Sequence, residues 1–131
     1  MKKYISTILT TLIIAAVLVG FYFLTSKKPA SLNTDYQNSD LILFYGDTCP
    51  HCKIVEEFIS KNQIDQKLKI SQLEVYNNQS NSSLFVKLVK EICPDQSNPE
   101  GLPVPFLINK QDKKCLVGDT PITDYLSEKS K

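Results

Sequence analysis

The stretch that decides the fold is LILFYGDTCPHC, residues 41–52. Its first five residues form a continuous apolar run of strand length, which is typical of a strand covered on both faces. The final four residues begin a segment, 49–62, in which apolar side chains recur at a period of 3.6 residues and Pro50 lies near the first turn. The sequence therefore predicts a buried strand that runs directly into an amphipathic helix.

Two further elements predict a second strand and a second helix. Residues 69–76 alternate apolar and polar side chains, as a strand with one covered face does. Residues 82–93 repeat the helical stripe. A short connection of this kind implies two parallel strands joined by a right-handed crossover.

The last third of the chain predicts a hairpin and a final helix. Residues 94–105 hold four of the seven prolines, so we expect neither a helix nor a central strand there. Residues 106–108 and 115–117 are predicted strands joined by a polar turn. A last helix follows, which Asp119 or Thr120 can cap. The predicted order of elements is βαβαββα.

The first 40 residues differ in composition from the rest. Residues 4–26 form an uncharged, mostly apolar run of 23 residues with lysines on both sides, long enough to cross the roughly 30 Å hydrocarbon core of a bilayer. A cleaved signal peptide is the alternative, but its apolar region is shorter and ends in a small-x-small site. We therefore expect a transmembrane anchor in residues 1–27, a polar linker in 28–40 and the folded domain in 41–131.

The charge balance excludes one class of partner. The chain has 15 basic and 14 acidic residues, a formal net charge of +1. Because the positive charges are not clustered, no surface suited to a nucleic acid is expected.

The residues that carry chemistry lie in CPHC, between the first strand and the first helix. Cys49 and Cys52 are separated by two residues, a spacing that allows a small disulfide ring. At a helix N-terminus, unpaired N–H groups and the positive end of the helix dipole stabilise a thiolate. We therefore expect Cys49 to ionise readily and to act as the nucleophile, with Cys52 as its partner. A purely structural bridge is the alternative.

His51 lies between the two cysteines. A protonated imidazole there would stabilise the thiolate further and make the disulfide a stronger oxidant, so Pro50 and His51 are candidate redox-tuning residues. An idle, solvated histidine is the alternative. A copper or zinc site formed by Cys49, His51 and Cys52 is another, although the sequence has no other histidine and its remaining cysteines stand alone.

The order of elements, the CPHC motif and VPFLI at residues 104–108 resemble the thioredoxin superfamily. The resemblance implies a thioredoxin-like α/β fold with a central mixed sheet flanked by helices. It also implies that Pro105 is cis and lies beside the two cysteines, and that Val104 and Pro105 bind substrate, with the backbone of Val104 paired to an extended segment. An ordinary loop proline is the alternative.

Within the superfamily, the Pro-His pair and the valine before the proline resemble extracytoplasmic disulfide oxidases of the DsbA type. The chain departs from that type in two ways: it has no large helical insertion, and Leu43 stands where the family has a buried carboxylate. A side-chain base for Cys52 is therefore not assigned. Tyr45, Asp47 or a water molecule can move the proton.

The start of the last helix resembles a second family, the glutaredoxins. Gly118, Asp119 and Thr120 are similar to the glutathione-carboxyl loop of that family, in which helix N–H groups receive an anion. The same residues serve equally well as a simple helix cap, which is the interpretation we favour.

Cys93 and Cys115 form a second candidate pair. In an oxidising compartment they would form a structural disulfide that contributes about 3 kcal/mol by constraining the unfolded chain. Two buried free cysteines are the alternative. An even total of 4 cysteines in a small domain behind an anchor favours the bridge.

The sequence therefore predicts a single-pass, membrane-anchored thiol-disulfide oxidoreductase with its catalytic domain outside the cytoplasm. The expected partners are protein thiols or disulfides, a membrane or soluble redox partner, and the lipid bilayer through residues 4–26. No dissociable cofactor and no metal are expected. The alternatives are a thiol reductase or glutaredoxin-like enzyme of the same fold, a copper- or zinc-binding tethered module, and a redox-inert tether.

Overall fold

The apolar run at residues 41–45 forms the central strand of the sheet. In the computed structural model, which describes residues 34–98 and 101–131, this strand is β1 (Leu41–Tyr45), and its first four residues are buried. Alternate side chains of β1 enter two different core clusters. The predicted strand with both faces covered is therefore confirmed.

The other helices and strands of the described residues follow the predicted order. They are α1 (Pro50–Lys61), α2 (Ile64–Lys67), β2 (Ile70–Glu74), α3 (Gln79–Ile92), β3 (Phe106–Asn109), β4 (Lys114–Val117) and α4 (Asp119–Lys129). Short 3₁₀ helices also lie at Thr34–Gln37 and Pro94–Gln96. The order βαβαββα is confirmed, with α2 as an additional short helix between α1 and β2.

The sheet has the strand order β2-β1-β3-β4. The α1–α2 crossover makes β2 parallel to β1, whereas β3 pairs antiparallel with both β1 and β4. Helices cover both faces of this mixed, four-stranded sheet. The fold is therefore thioredoxin-like, as the resemblance implied.

Each face of the sheet packs against its own helices. Leu41 and Leu43 belong to the cluster formed with α1 and α4, and Ile42 and Phe44 belong to the cluster formed with α3. The ring of Phe85 in α3 stacks on Phe44 with centroids 4.3 Å apart. Since a fully buried large apolar side chain contributes roughly 1.5–3 kcal/mol, these two clusters hold the layers together.

Three local features were not predicted. The 3₁₀ helix Thr34–Gln37 lies in the predicted linker, and its Tyr36 packs against the α3 cluster. Another 3₁₀ helix, Pro94–Gln96, opens the proline-rich segment, so the expectation that no helix forms there was wrong for its first three residues. Proline is compatible with the first position of a helix because its missing N–H would be unpaired there. The short helix α2 begins after Gln63, which has a left-handed backbone conformation.

No helix among the described residues is long and apolar enough to cross a bilayer. The predicted anchor at residues 4–26 lies outside the described residues, as does the first part of the predicted linker. The membrane contact therefore stays a prediction.

Candidate functional site

Cys49 and Cys52 lie at the junction of β1 and α1, where their sulfurs form a disulfide. Residues 46–48 connect the strand to the helix, and the Cys49 N–H closes this turn by donating to the carbonyl of Gly46 at 3.1 Å. Cys49 is the N-cap of α1 and Pro50 its first residue, a position that suits proline. The turn therefore holds both sulfurs at the N-terminus of the helix.

The two sulfurs of this disulfide have different surroundings. The sulfur of Cys49 accepts the backbone N–H of Cys52 at 3.2 Å, whereas the sulfur of Cys52 accepts the N–H of Gly46 at 3.5 Å. Cys49 keeps 7% of its surface exposed and Cys52 keeps none. An incoming group therefore reaches Cys49 first, and the helix terminus that faces it stabilises a negative charge on its sulfur once the disulfide opens.

Val104 and Pro105 bring a second stretch of backbone to Cys49. The peptide bond between them is cis, as the resemblance implied. The carbonyl oxygen of Val104 lies 3.7 Å from the sulfur of Cys49, although the two residues are 55 positions apart in sequence. The carbonyl of buried Pro105 accepts the N–H of Gly118 at 3.0 Å. This hydrogen bond places the start of α4 beside the same loop.

The imidazole of His51 is paired with a carboxylate at the start of α4. Its Nδ1 lies 3.0 Å from Oδ2 of Asp119, and the two side chains are 69% and 24% exposed. The hydrogen bond with His51, followed by that from the N–H of Thr120, holds the pKa of the Asp119 carboxyl below its ordinary value. Sequence reasoning missed this pair because its members are 68 residues apart.

The cap of α4 differs from the prediction. Its N-cap is Gly118, with a φ of 91° that glycine adopts readily. The expectation that Asp119 or Thr120 caps the helix was therefore wrong. Asp119 is instead the first helical residue, which leaves one of its carboxylate oxygens directed at His51.

The residues that bear on proton transfer to and from Cys52 are Leu43, Tyr45 and Asp47. Leu43 is fully buried in the apolar cluster between the sheet, α1 and α4. Burial, followed by the carboxylates of Glu56, Glu74 and Asp47, raises the pKa of the Tyr45 phenol. The phenol therefore stays protonated at neutral pH. The carboxylate of Asp47 accepts a hydrogen bond from the Asn77 amide at 2.7 Å.

The turn after β2 packs on the loop before Cys49, a contact that sequence reasoning also missed. A Cβ at Gly46 would overlap the ring of Tyr76, which is 55% exposed. The carboxylate of Glu74 accepts the backbone N–H groups of Tyr76 and Asn77 and fixes this turn. The glycine between the strand and CPHC was the one sequence signal for this close approach.

Cys93 and Cys115 form the second disulfide. It joins the C-cap of α3 to the edge strand β4, with the two Cα atoms 6.3 Å apart, a usual span for a disulfide. Cys93 is buried within the α3 cluster. All four cysteines of the sequence are thus paired.

Within residues 34–98 and 101–131, no group of three His, Cys, Asp or Glu side chains is arranged to hold a metal ion. Cys49 and Cys52 are joined to each other, and the imidazole of His51 is bonded to Asp119.

No family model and no curated protein matches the chain. Three similar solved structures are glutaredoxins. One is a glutaredoxin-glutathione complex from buckwheat, with 12% identity and a TM-score of 0.46, covering 70% of this chain and 71% of that one. Another is from Archaeoglobus fulgidus, with 15% identity, a TM-score of 0.45 and 69% and 88% coverage. The third is from Methanosarcina mazei Go1, with 20% identity, a TM-score of 0.45 and 67% and 78% coverage.

Proposed function

We propose that the protein is a thiol-disulfide oxidoreductase that acts on protein thiols through Cys49 and Cys52. The observation that carries the proposal is the disulfide at the N-terminus of α1, in which the sulfur of Cys49 accepts a helix N–H. A structural bridge needs no donor that stabilises a thiolate. A reactive one does.

The reaction consists of two exchanges at sulfur. A substrate thiolate attacks Cys49, and the bond to Cys52 breaks so that Cys52 leaves as a thiolate and takes up a proton. A second substrate thiolate then attacks the substrate sulfur of the mixed disulfide and displaces Cys49 as a thiolate. The substrate loses two electrons and becomes a disulfide, while the two electrons reduce the Cys49–Cys52 pair.

The proposed direction is oxidation of the substrate. Whatever stabilises the Cys49 thiolate stabilises the reduced pair and makes its disulfide a stronger oxidant. The N–H of Cys52 and the dipole of α1 act in this way. Pro50 and His51, in the first turn of α1, are proposed to tune the same equilibrium, with His51 acting when its ring is protonated.

Val104 and Pro105 are proposed to present a backbone edge to an extended segment of the substrate protein. The Val104 carbonyl lies beside the sulfur that would carry the mixed disulfide. A dissociable cofactor is not part of the proposal, because the cysteine pair stores both electrons itself.

We also propose that the domain works outside the cytoplasm, tethered to a membrane by residues 4–26. The uncharged run of 23 residues supports the tether, and the second disulfide supports an oxidising compartment. A membrane-impermeant thiol reagent, added to intact cells after mild reduction, tests the location. Labelling of Cys49 only after lysis would contradict it.

The reduction potential of the Cys49–Cys52 pair in the full chain tests the proposed direction. We expect a value closer to that of the strong oxidant DsbA, about −120 mV, than to that of thioredoxin, about −270 mV. A value near −270 mV would favour a reductase instead.

Oxidation of a reduced peptide with two cysteines tests the activity. Both Cys49→Ser and Cys52→Ser should lose it, because neither retains the disulfide that takes up the two electrons. When the oxidised peptide is supplied instead, the Cys49 thiolate of Cys52→Ser should attack the peptide disulfide and form a mixed disulfide, with the other peptide cysteine leaving as a thiolate. The matched control is the double variant Cys93→Ala/Cys115→Ala, which should retain the activity. Exchange by Cys49→Ser at the wild-type rate would overturn the proposal.

A further inference from the structure

The hydrogen bond between His51 and Asp119 determines which ring nitrogen is free. A carboxylate only accepts hydrogen bonds, so the Nδ1 atom that lies 3.0 Å from Asp119 must carry a proton. The low pKa of the Asp119 carboxyl keeps that group ionised at neutral pH, so the acceptor persists. In the neutral ring the lone pair therefore lies on Nε2.

The His51 ring belongs to the same part of the site as Cys49: its partner Asp119 follows Gly118, whose N–H donates to the carbonyl of Pro105 in the loop beside the Cys49 sulfur. His51 and Cys49 are two residues apart, at the first turn and the N-cap of α1. The side chain of His51 is 69% exposed, so its Nε2 is open to a group that approaches from solvent. A base that a third residue holds in place is the arrangement that proteins use to activate a nucleophile.

The substrate needs such a base because a thiolate, not a thiol, attacks a disulfide. A free cysteine has a pKa near 8.5, so about 3% of it is ionised at pH 7. Removing the proton as the sulfur approaches can therefore speed the attack by at most about 30-fold.

We propose that Asp119 is a positioning residue that holds His51 so that Nε2 accepts the proton of the incoming substrate thiol. The electron pair of the substrate sulfur forms the bond to Cys49, the pair of the broken disulfide leaves on Cys52, and the proton moves to Nε2 and then to solvent. This inference rests on the proposed function and adds to it a kinetic role for a pair of residues on different helices.

The test compares two reductants of the full chain at pH 7: an alkyl dithiol, which is mostly protonated, and an aromatic thiol that is already largely ionised. Asp119→Asn should slow reduction by the alkyl dithiol about three- to tenfold, within the ceiling set by thiol ionisation. Reduction by the aromatic thiol should keep its wild-type rate. Asp119→Glu should recover part of the loss.

Two controls separate this role from others. Asp124→Asn removes the same charge from the same helix and should change neither rate. In a His51→Gln background, Asp119→Asn should have no further effect on the alkyl rate. A purely electrostatic role of Asp119 predicts equal changes with both reductants, and a purely structural role predicts the same loss in both backgrounds. Either result would overturn the proposal.

Nitrogen NMR gives a readout independent of exchange. The sequence has 1 histidine, so its ring signals need no further assignment. The neutral ring should carry its proton on Nδ1 in the wild type and lose that preference in Asp119→Ala. An unchanged tautomer would contradict the positioning role. If instead the wild-type pair reacts with neither reductant, the proposed function itself fails.

Discussion

The two disulfides lie at opposite kinds of helix end. Cys49 caps the N-terminus of α1 and its sulfur accepts a helix N–H, whereas Cys93 lies at the C-cap of the 14-residue α3, where the helix dipole presents its negative end. Cys93 also precedes the three-residue 3₁₀ helix Pro94–Gln96, but its side chain accepts no cap hydrogen bond there. The first setting stabilises a thiolate and the second opposes it. The Cys49–Cys52 disulfide is therefore expected to react, whereas the Cys93–Cys115 disulfide is expected to stabilise the fold.

The number of residues between the two cysteines of each pair supports the same distinction between a reactive and a structural disulfide. Cys49 and Cys52 are 3 residues apart, and Cys93 and Cys115 are 22 apart. Closing the longer loop removes more freedom from the unfolded chain, so the second bridge stabilises the fold more. Helix polarity and loop length thus both indicate that the Cys49–Cys52 pair reacts and that the Cys93–Cys115 pair stabilises the fold.

Stepwise reduction is the most direct test of whether the two disulfides differ in reactivity. We expect a mild dithiol to open the Cys49–Cys52 bond while the Cys93–Cys115 bond stays closed. A difference of about 100 mV in reduction potential, the gap between moderately oxidising CxxC pairs and structural bridges, corresponds to more than a thousandfold in equilibrium constant. Differential alkylation followed by mass spectrometry measures it. If both bonds opened together, the comparison would be wrong.

Variants in which both cysteines of a pair are replaced by alanine test how much each disulfide contributes to the free energy of unfolding. Removal of Cys93 and Cys115 together should lower the free energy of unfolding by about 3 kcal/mol on the loop-entropy model, and removal of Cys49 and Cys52 by about 2 kcal/mol. Denaturant unfolding without reductant measures both. A larger loss for the Cys49 and Cys52 pair would reverse the assignment.

The fold was largely predictable because local patterns determine it. The continuous apolar run at residues 41–45 required a doubly covered strand, and Pro50 marked the start of α1. By contrast, α2 has 4 residues and one buried side chain, Ile64, which is too short for a periodic signal.

The site was predictable only where its residues are adjacent in sequence. CPHC identified Cys49 and Cys52, and the proline before β3 identified the segment that lies beside them. The partner of His51 could not be predicted, because pairing of Asp119 with it depends on how α1 and α4 pack together. The same residue also matches a helix cap, so its local sequence pointed to another role.

The close contact between Gly46, in the loop before Cys49, and the ring of Tyr76 can be tested in the same way, with a smaller expected effect. Gly46→Ala should force the ring of Tyr76 aside and lower the free energy of unfolding by about 1 kcal/mol, as mild overpacking does. The cost stays small because that ring is half exposed and can rotate outward. Tyr76→Ala should remove most of the effect in a double-mutant cycle. An equal cost with and without the tyrosine would show that the ring is not the cause.

The smallest expected effect is the acid dependence of stability at the two ends of α4. The Lys129 ammonium holds the pKa of Asp112 below its ordinary value by hydrogen bond and charge, much as His51 does for Asp119. A carboxyl whose pKa is lower in the folded state contributes stability above its ordinary pKa of about 3.9, and this is lost as the pH falls through the lower folded value.

The difference in unfolding free energy between pH 7 and pH 3 should therefore be smaller in Asp112→Asn than in the wild type. Asp112 and Lys129 lie away from CPHC, so the Cys49–Cys52 reduction potential should not change in this variant. Asp119→Asn should also reduce the acid dependence but in addition slow reduction by the alkyl dithiol. If Asp112→Asn slowed that reaction equally, the kinetic effect would reflect the stability of α4 and not the hydrogen bond to His51.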